Sequence, residues 1–190
     1  MNQRLRIAGV LLHVAALIFA VWFGGQVFNA LMVVPVWSAS LPESAVAYNG
    51  ALRQFGGGRA NFFVLFSPLW VTLLLVAALC LSRRTGPPRR RRWTLAFAAC
   101  AAVSALVVLG WMAPTVGRGQ QAIVEGRFSP EVADALNLWV RANWARLGVE
   151  LCGALCALRA LGAPAVVSRA REENADEAPG AAVAAVAVVS

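Results

Sequence analysis

Lysine is absent from this 190-residue sequence, and histidine occurs only once. Charged residues make up 14% of the chain and hydrophobic residues 59%, above the roughly 45–50% that is usual in a soluble domain. The single histidine, His13, excludes a bis-histidine haem held by this chain alone. Among the four cysteines, Cys152 and Cys156 lie one helical turn apart, but no second pair of metal ligands accompanies them. We therefore expect no metal and no other cofactor.

The hydrophobic residues are grouped into four long blocks, at about 7–36, 61–81, 93–114 and 136–161. Each block reaches the roughly 20 residues that a helix needs to cross a bilayer core. They predict an all-α fold, an integral membrane four-helix bundle in one domain over residues 1–161. The first block is longer than a secretory h-region, so we interpret it as a retained helix. Residues 162–190 are interpreted as a poorly ordered cytoplasmic tail.

All 17 basic residues are arginine, and their distribution predicts the orientation of the bundle. Eleven arginines flank one side of the predicted spans, six of them in the sequence SRRTGPPRRRR, and four flank the other side. The positive-inside rule places the arginine-rich side and both termini in the cytoplasm. Despite the formal net charge of +8, we expect a multi-pass bacterial inner-membrane protein whose partner is the lipid bilayer, and no nucleic acid.

Proline and capping residues predict the ends of the helices. Pro35 and Pro42 are expected to mark the exit of the first helix near Val36. Pro68 is expected to lie within the second helix and kink it, and Pro114 to end the third. A capping-box pattern at Ser40 and Glu43 predicts a short surface helix over about 42–55 in the first outer loop. A second outer loop is expected over 115–128.

The sequence Ser129-Pro130-Glu131 has the features of a helix start, namely an N-cap, a first-turn proline and a first-turn acid. It predicts that the last helix starts outside the hydrocarbon and runs to Leu161.

Polar residues follow one face of this last helix. At ~100° per residue, Trp139, Asn143, Arg146 and Glu150 share a face, whereas Arg141 points elsewhere. An isolated charge at membrane depth costs several kcal/mol, so we expect Arg146 and Glu150 to pair inside the bundle.

Other predicted helices carry matching groups at a similar depth, namely Trp22, Gln26 and Asn29 on the first helix, Asn61 at the start of the second, and Ser104 and Trp111 on the third. Together they predict a polar pocket in the outer half, roofed by the two outer loops. The alternative is that these groups only hold helices together. An arginine, a glutamate and several amides at one depth favour a functional pocket, because intramembrane ionisable residues usually mark function.

The run GGQVFNALMVVP and the motif Trp139-x-x-x-Asn143-x-x-Arg146 resemble the anthrone-oxygenase-like four-helix membrane proteins, a family largely of unknown function. The resemblance covers about residues 7–161. It implies that Asn143 and Arg146 are pocket residues. For fungal members it also implies the oxidation of anthrones to anthraquinones without metal or flavin.

A cofactor-free oxygenase needs a base that generates an electron-rich enolate and a cation that stabilises it. Arg146 is the candidate for stabilising the oxyanion, and Glu150 is the candidate base. Burial favours neutral Glu150 whereas Arg146 favours its carboxylate, so the two influences oppose each other. Trp22, Trp111 and Trp139 are candidates to stack on a flat aromatic ligand.

Two functions therefore remain open from the residues alone. One is an oxygenase that acts on a lipophilic aromatic substrate. The other is a non-catalytic membrane protein that binds a lipid, a quinone or a partner helix through the same pocket. Four helices without internal repeat symmetry argue against a secondary transporter.

Overall fold

The computed structural model describes residues 3–54, 66–82 and 87–162, and the regular secondary structure in these ranges is helical, without a β-strand. Two π-helical segments, Asn29–Val33 and Val108–Met112, lie within otherwise continuous helical stretches. The helices in chain order are α1 Gln3–Phe28, α2 Val34–Ser38, α3 Glu43–Gln54, α4 Pro68–Ser82, α5 Pro88–Val107, α6 Ala113–Val124 and α7 Pro130–Leu161.

Two of the continuous helical stretches are long and apolar enough to cross a membrane. They are Gln3–Ser38 and Pro88–Ile123, each of 36 residues. Helix α4 is also apolar but has only 15 residues. The predicted all-α fold is thus confirmed for the described residues, while the membrane bundle and its orientation remain predictions.

The helices that carry the candidate site pack in a ring, because α1 contacts α4, α4 contacts α5, α5 contacts α7 and α7 contacts α1. We call the end formed by Arg4, Arg89–Arg92 and Arg159 the arginine-rich end, and the opposite end the far end. Towards the arginine-rich end the core is apolar and rich in alanine, and Phe19 packs edge-on against Phe97 with ring centroids 5.1 Å apart.

Gly153 of α7 brings three helices together in this apolar core. A Cβ atom at Gly153 would lie 3.0 Å from Cζ of Phe19 on α1 and 3.1 Å from Cβ of Cys100 on α5. These contacts are tighter than ordinary van der Waals packing, so glycine allows the close approach of α7 to both neighbours.

Several predicted helix ends differ from the structure. Helix α4 begins at Pro68, where Ser67 Oγ accepts a hydrogen bond from the Leu69 N–H at 3.3 Å. A first-turn proline removes no helical hydrogen bond, so the predicted kink is wrong. Helix α5 begins at Pro88, which places Arg89–Arg92 in its first turns.

Pro35 and Pro114 lie inside continuous helical stretches. The first stretch ends at Ser38, between Pro35 and Pro42 and close to the predicted end. The third continues to Val124, so the prediction that Pro114 ends it is wrong.

In an α-helix, a proline ring clashes with the carbonyl four residues earlier. Here the residue before each proline donates its N–H to the carbonyl five residues back, which forms a wider π turn that accommodates the ring. The two donor–acceptor pairs are Val34 to Asn29 and Ala113 to Val108.

The predicted surface helix is confirmed as α3, Glu43–Gln54. It packs on α2 and α6. The capping box predicts that the Glu43 side chain accepts from the backbone at the start of this helix. In the structure Ser44 takes this role, because its Oγ accepts a hydrogen bond from the Ser40 N–H at 3.1 Å. The predicted second outer loop is largely wrong, since α6 extends to Val124.

Helix α7 starts and ends as the sequence predicts. Ser129 Oγ accepts a hydrogen bond from the Val132 N–H at 3.5 Å, and Pro130 and Glu131 occupy the first turn. The helix continues for 32 residues to Leu161, which is about 48 Å. It therefore extends well beyond a bilayer core of about 30 Å.

Candidate functional site

Arg146 and Glu150, predicted to pair on one face of the last helix, form a buried ion pair. Arg146 Nη1 donates to Glu150 Oε1 at 2.8 Å, and the two side chains are 3% and 0% exposed. Their i,i+4 spacing on α7 brings the groups together. The pair is neutral as a unit, which is the condition under which charges can be kept in apolar surroundings.

The second terminal nitrogen of Arg146 is held by two amide oxygens. Nη2 donates to Gln26 Oε1 of α1 and to Asn143 Oδ1 of α7, both at 2.8 Å. Both amide side chains are buried. The guanidinium group is thereby fixed in position between two helices.

Glu150 Oε1 also accepts hydrogen bonds from two further helices. Trp22 Nε1 on α1 donates to it at 2.8 Å, and Ser104 Oγ on α5 at 2.5 Å. With Arg146, three donors from three helices thus converge on one carboxylate oxygen. We call these six side chains, Trp22, Gln26, Ser104, Asn143, Arg146 and Glu150, the polar cluster.

Sequence reasoning placed Trp22 and Ser104 on the correct helix faces but did not assign either of them to the ion pair. The available signals were the spacing of Trp22 one turn before Gln26, and the isolated hydroxyl of Ser104 in an otherwise apolar segment. Neither signal specifies a partner on another helix.

Three buried polar atoms at this site accept or donate no hydrogen bond within the described residues: Glu150 Oε2, Arg146 Nε and Trp139 Nε1. A buried polar atom without a partner costs about 1–3 kcal/mol. Oε2 is an acceptor, whereas the two nitrogens are donors. The site therefore offers both kinds of hydrogen-bonding group to a molecule that reaches it.

An aromatic layer lies next to the polar cluster on the side of the far end. Its members are Trp37, Trp111 and Trp139. The Trp139 and Trp37 ring centroids are 5.7 Å apart, with planes inclined by 53°. Trp139 was predicted to bind ligand, and it is buried one turn before Asn143 on the same face of α7.

Asn29, also predicted to bind ligand, is not part of the polar cluster. Its side chain is half-buried and makes no hydrogen bond with Arg146 or Glu150. The π turn that begins at Asn29 contains one residue more than an α-helical turn, so Ala30 and Val34 occupy the buried positions. A uniform α-helix would bury Asn29 and Val33 instead.

The second π turn has the same effect on Trp111. Met112 takes the buried position, and Trp111 is half-buried at the edge of the aromatic layer. The structure therefore separates Trp111 from the polar cluster, in contrast to the prediction. The last predicted ligand-binding residue, Asn61, lies outside the described residues.

The chain matches no protein family, no curated protein and no solved structure with which it was compared. The site therefore has to be interpreted from its own geometry.

The remaining titratable side chains in the helices form no second site of this kind. His13 is exposed and hydrogen-bonds through Nδ1 to the Gly9 carbonyl oxygen at 2.8 Å. The cysteines carry no disulfide. Within residues 3–54, 66–82 and 87–162, no three His, Cys, Asp or Glu side chains are arranged to hold a metal ion.

Proposed function

We propose that the chain is a multi-pass membrane protein, a four-helix bundle with both termini in the cytoplasm, whose polar cluster binds a lipophilic small molecule. Large apolar side chains support the membrane setting because they are exposed on all four of the helices α1, α4, α5 and α7. Examples are Leu17 at 67%, Leu73 at 52%, Leu106 at 73% and Leu151 at 49% exposed. Apolar side chains exposed in this way fit hydrocarbon better than water.

The arginines support the orientation and the depth of the site. Arg4, Arg6, Arg89–Arg92 and Arg159 lie at one end of the helices, the end that the positive-inside rule assigns to the cytoplasm. Glu150 is nine residues before Arg159, or about 14 Å along α7. If Arg159 lies at the cytoplasmic edge of a bilayer core of about 30 Å, this distance corresponds to Glu150 near its middle and Arg146 in its outer half, which is consistent with the proposed orientation.

The observation that carries the binding proposal is the uneven use of the Glu150 carboxylate. Oε1 accepts three hydrogen bonds, whereas Oε2 accepts none among the described residues. A cluster that only held helices together would be expected to satisfy both oxygens, because unpaired buried polar atoms weaken the fold. A ligand with a hydroxyl or an acidic C–H group near a carbonyl would satisfy Oε2 and Arg146 Nε together.

The aromatic layer supports a flat, lipophilic ligand. Trp37 and Trp139 lie between the polar cluster and the far end. Because Glu150 is fully buried, a ligand would reach it by displacing these rings and stacking against them. Trp139 Nε1, which has no partner in the part of the chain that the structure describes, is a further donor for an oxygen of the ligand.

The same carboxylate geometry favours a second candidate function, a cofactor-independent oxygenase of the anthrone type. Glu150 Oε2 would accept a proton from the substrate methylene, and Arg146 would stabilise the enolate oxygen. The deprotonated carbon of the enolate then reacts with O2 to give a peroxide anion. The proton returns from Glu150 to this anion, which gives a hydroperoxide at the same carbon. Loss of water then leaves a carbonyl, so one oxygen atom enters the quinone and the other leaves as water with both methylene hydrogens.

The first test is oxygen uptake by the purified full-length protein in detergent, with a panel of anthrones and hydroquinones. The variants are Arg146→Ala and Glu150→Gln, with Arg141→Ala as control because Arg141 is exposed on the same helix. An oxygenase gives uptake above the spontaneous rate in wild type and Arg141→Ala, but not in the other two variants.

Binding is measured in parallel by quenching of tryptophan fluorescence. Saturable quenching without enhanced uptake would support the non-catalytic function. If the folded protein showed neither quenching nor uptake, and no lipophile co-purified with it, the binding proposal would be wrong.

A further inference from the structure

A second site lies at the arginine-rich end, in a small cleft between α1, the end of α4 and the start of α5. Apolar residues of α1 and α4 line part of the cleft, among them Leu12 and Ala78. Arg90 and Arg91 of α5 also line it. Its volume of about 30 Å³ is room for about two water-sized groups. The cleft therefore admits the oxygen atoms of an anion but not an acyl chain.

Arg90 is held against α1 and does not extend freely into solvent. It is half-buried, whereas the other three arginines of residues 89–92 are exposed. A Cβ atom at Gly9 of α1 would lie 3.7 Å from Arg90 Nη2, so the guanidinium group lies beside α1 at the level of Gly9. Arg90 forms no ion pair within the part of the chain that the structure describes. A partly buried charge without a counter-charge is unfavourable.

The acidic residues that the structure describes supply no counter-charge at this end. They are five of the nine in the chain, and they lie at the far end or in the polar cluster: Glu43, Glu125, Glu131, Asp134 and Glu150. Residues 83–86, between α4 and α5 in the sequence, add two arginines and no acid. The remaining four acids are Glu172, Glu173, Asp176 and Glu177. The anion that neutralises Arg90 is therefore one of these four or belongs to another molecule.

A lipid phosphate fits this need better than the four acids do. In the orientation proposed above, the cleft lies at the headgroup level of the cytoplasmic leaflet, whose anionic lipids attract arginine. Guanidinium groups also match the oxygen geometry of phosphate. Glu172 is eleven residues beyond Leu161, the end of α7. Bringing the acids to the cleft would order this intervening segment at a cost in conformational entropy.

We propose that the cleft binds the phosphate of an anionic phospholipid of the cytoplasmic leaflet, and that Arg90 and Arg91 donate to the phosphate oxygens. The acyl chains would lie outside the cleft, in the bilayer beside the helices. A phospholipid with a terminal ammonium group binds less well, because the arginines at this end repel the ammonium.

The proposal rests on the membrane setting proposed above, but not on the ligand or the reaction of the polar cluster. The orientation decides only which leaflet supplies the lipid. Labelling of whole cells with a membrane-impermeant maleimide tests it separately, since Arg127→Cys at the far end should be labelled and Arg92→Cys should not. Lipid binding is measured in detergent, where orientation has no influence, so the two failures can be told apart.

The test is native mass spectrometry of the full-length protein in detergent. Glycerol and ethanolamine phospholipids with identical acyl chains are added in equal amounts, and wild type should retain the anionic glycerol lipid preferentially. Arg90→Gln and Arg91→Gln should each lower this preference roughly fivefold, the factor that corresponds to one arginine near an anionic surface.

Arg89→Gln and Arg92→Gln are the matched controls, since these arginines are exposed in the same turns of α5 and do not line the cleft. They should leave the preference nearly unchanged. Equal retention of the two lipids by wild type would overturn the proposal. A loss in Arg92→Gln as large as that in Arg90→Gln would also overturn it, because it would show a general effect of positive charge.

Two further measurements test other anions as occupants. Excess inorganic phosphate should not displace the lipid, and displacement would show that the cleft binds phosphate alone. A variant with all four of Glu172, Glu173, Asp176 and Glu177 changed to glutamine should keep the wild-type preference. A marked rise in its retention of the anionic lipid would show that these acids occupy the cleft, and would overturn the lipid as its occupant.

Discussion

Around Phe19 and Gly153 the helices are regular and meet through apolar contacts, whereas around Arg146 and Glu150 the same helices bring charges and amides together. The two regions are adjacent along α1, α5 and α7. Beyond the polar cluster, both α1 and α5 change to π-helical geometry. The π segments begin three residues after Gln26 and four residues after Ser104.

This difference shows what each region requires of the backbone. The apolar region needs only complementary volumes, which regular helices with alanine and glycine provide. The polar region needs side chains from three helices to meet at one oxygen. The π turns next to it change the direction in which the following side chains point. Such turns are frequent at functional sites.

The largest expected effect comes from breaking the ion pair on one side only. Glu150→Ala leaves Arg146 buried without a carboxylate, so we expect a loss of about 3–5 kcal/mol in the free energy of unfolding. The double variant Arg146→Leu with Glu150→Leu should recover most of this loss, because an apolar pair needs no partner. Denaturant unfolding in detergent measures both.

Arg141→Ala is the control for the ion pair, and it should change stability by less than about 0.5 kcal/mol because the residue is exposed. Equal stability of Glu150→Ala and Arg141→Ala would contradict the described pairing.

A smaller effect is expected from removing one donor to Glu150. Ser104→Ala deletes the hydroxyl that donates to Oε1 and should cost about 1.5–3 kcal/mol, as expected for a hydrogen bond to a charged group. Ser82→Ala is the matched control, since Ser82 Oγ donates to carbonyl oxygens of its own helix. Similar losses in both variants would show that Ser104 has no special part in the cluster.

The apolar region can be tested through its closest helix contact. Gly153→Leu inserts a side chain between Phe19 and Cys100 and should cost about 1–3 kcal/mol by overpacking. A Cβ atom added at the exposed Gly148 of the same helix meets no atom within 4 Å, so Gly148→Leu should be neutral or slightly stabilising because glycine is a poor helix former. The same denaturation assay compares them, and equal effects would contradict the close approach.

The smallest effect concerns the water-exposed start of α7, in contrast to its buried charges. The hydrogen bond with the Ser129 side chain holds the pKa of Glu131 below its ordinary value. This interaction contributes stability that is fully present above the ordinary pKa and is lost as the pH falls through the lowered one.

Ser129→Ala should therefore destabilise the protein more at about pH 7 than at about pH 2, where Glu131 is protonated. Loss of the N-cap itself costs about 1 kcal/mol at either pH. Unfolding curves at the two pH values provide the measurement. A destabilisation that does not change with pH would rule out the contribution of Glu131.

Local signals explain which parts of the fold could be predicted. The start of α7 follows from the sequence because its signals lie in neighbouring residues. They are the N-cap Ser129, the first-turn proline Pro130 and the first-turn acid Glu131. Pro114 carries an equally clear local signal that failed, because its helix continues to Val124. Whether a proline ends a helix or sits beyond a π turn depends on the packing that holds the wider turn in place, and this packing is not local.

The same reason explains why Asn29 and Trp111 lie apart from the polar cluster. Helical phase predicts a shared face correctly only while the helix keeps about 3.6 residues per turn. Gln26 precedes the first π turn and reaches Arg146, whereas Asn29 begins the turn and does not. Trp111 is displaced by the second π turn in the same way.

The sequence by itself determined that the described chain is helical and apolar, and that Arg146 and Glu150 share a face of α7, because spacing along a helix is a local property. Only the tertiary structure decided that Trp22 and Ser104 meet Glu150 at Oε1, while Oε2 has no partner among residues 3–54, 66–82 and 87–162. Such a convergence depends on the rotation and separation of three helices. Side-chain packing along their whole length sets these quantities, and no segment of the chain encodes them alone.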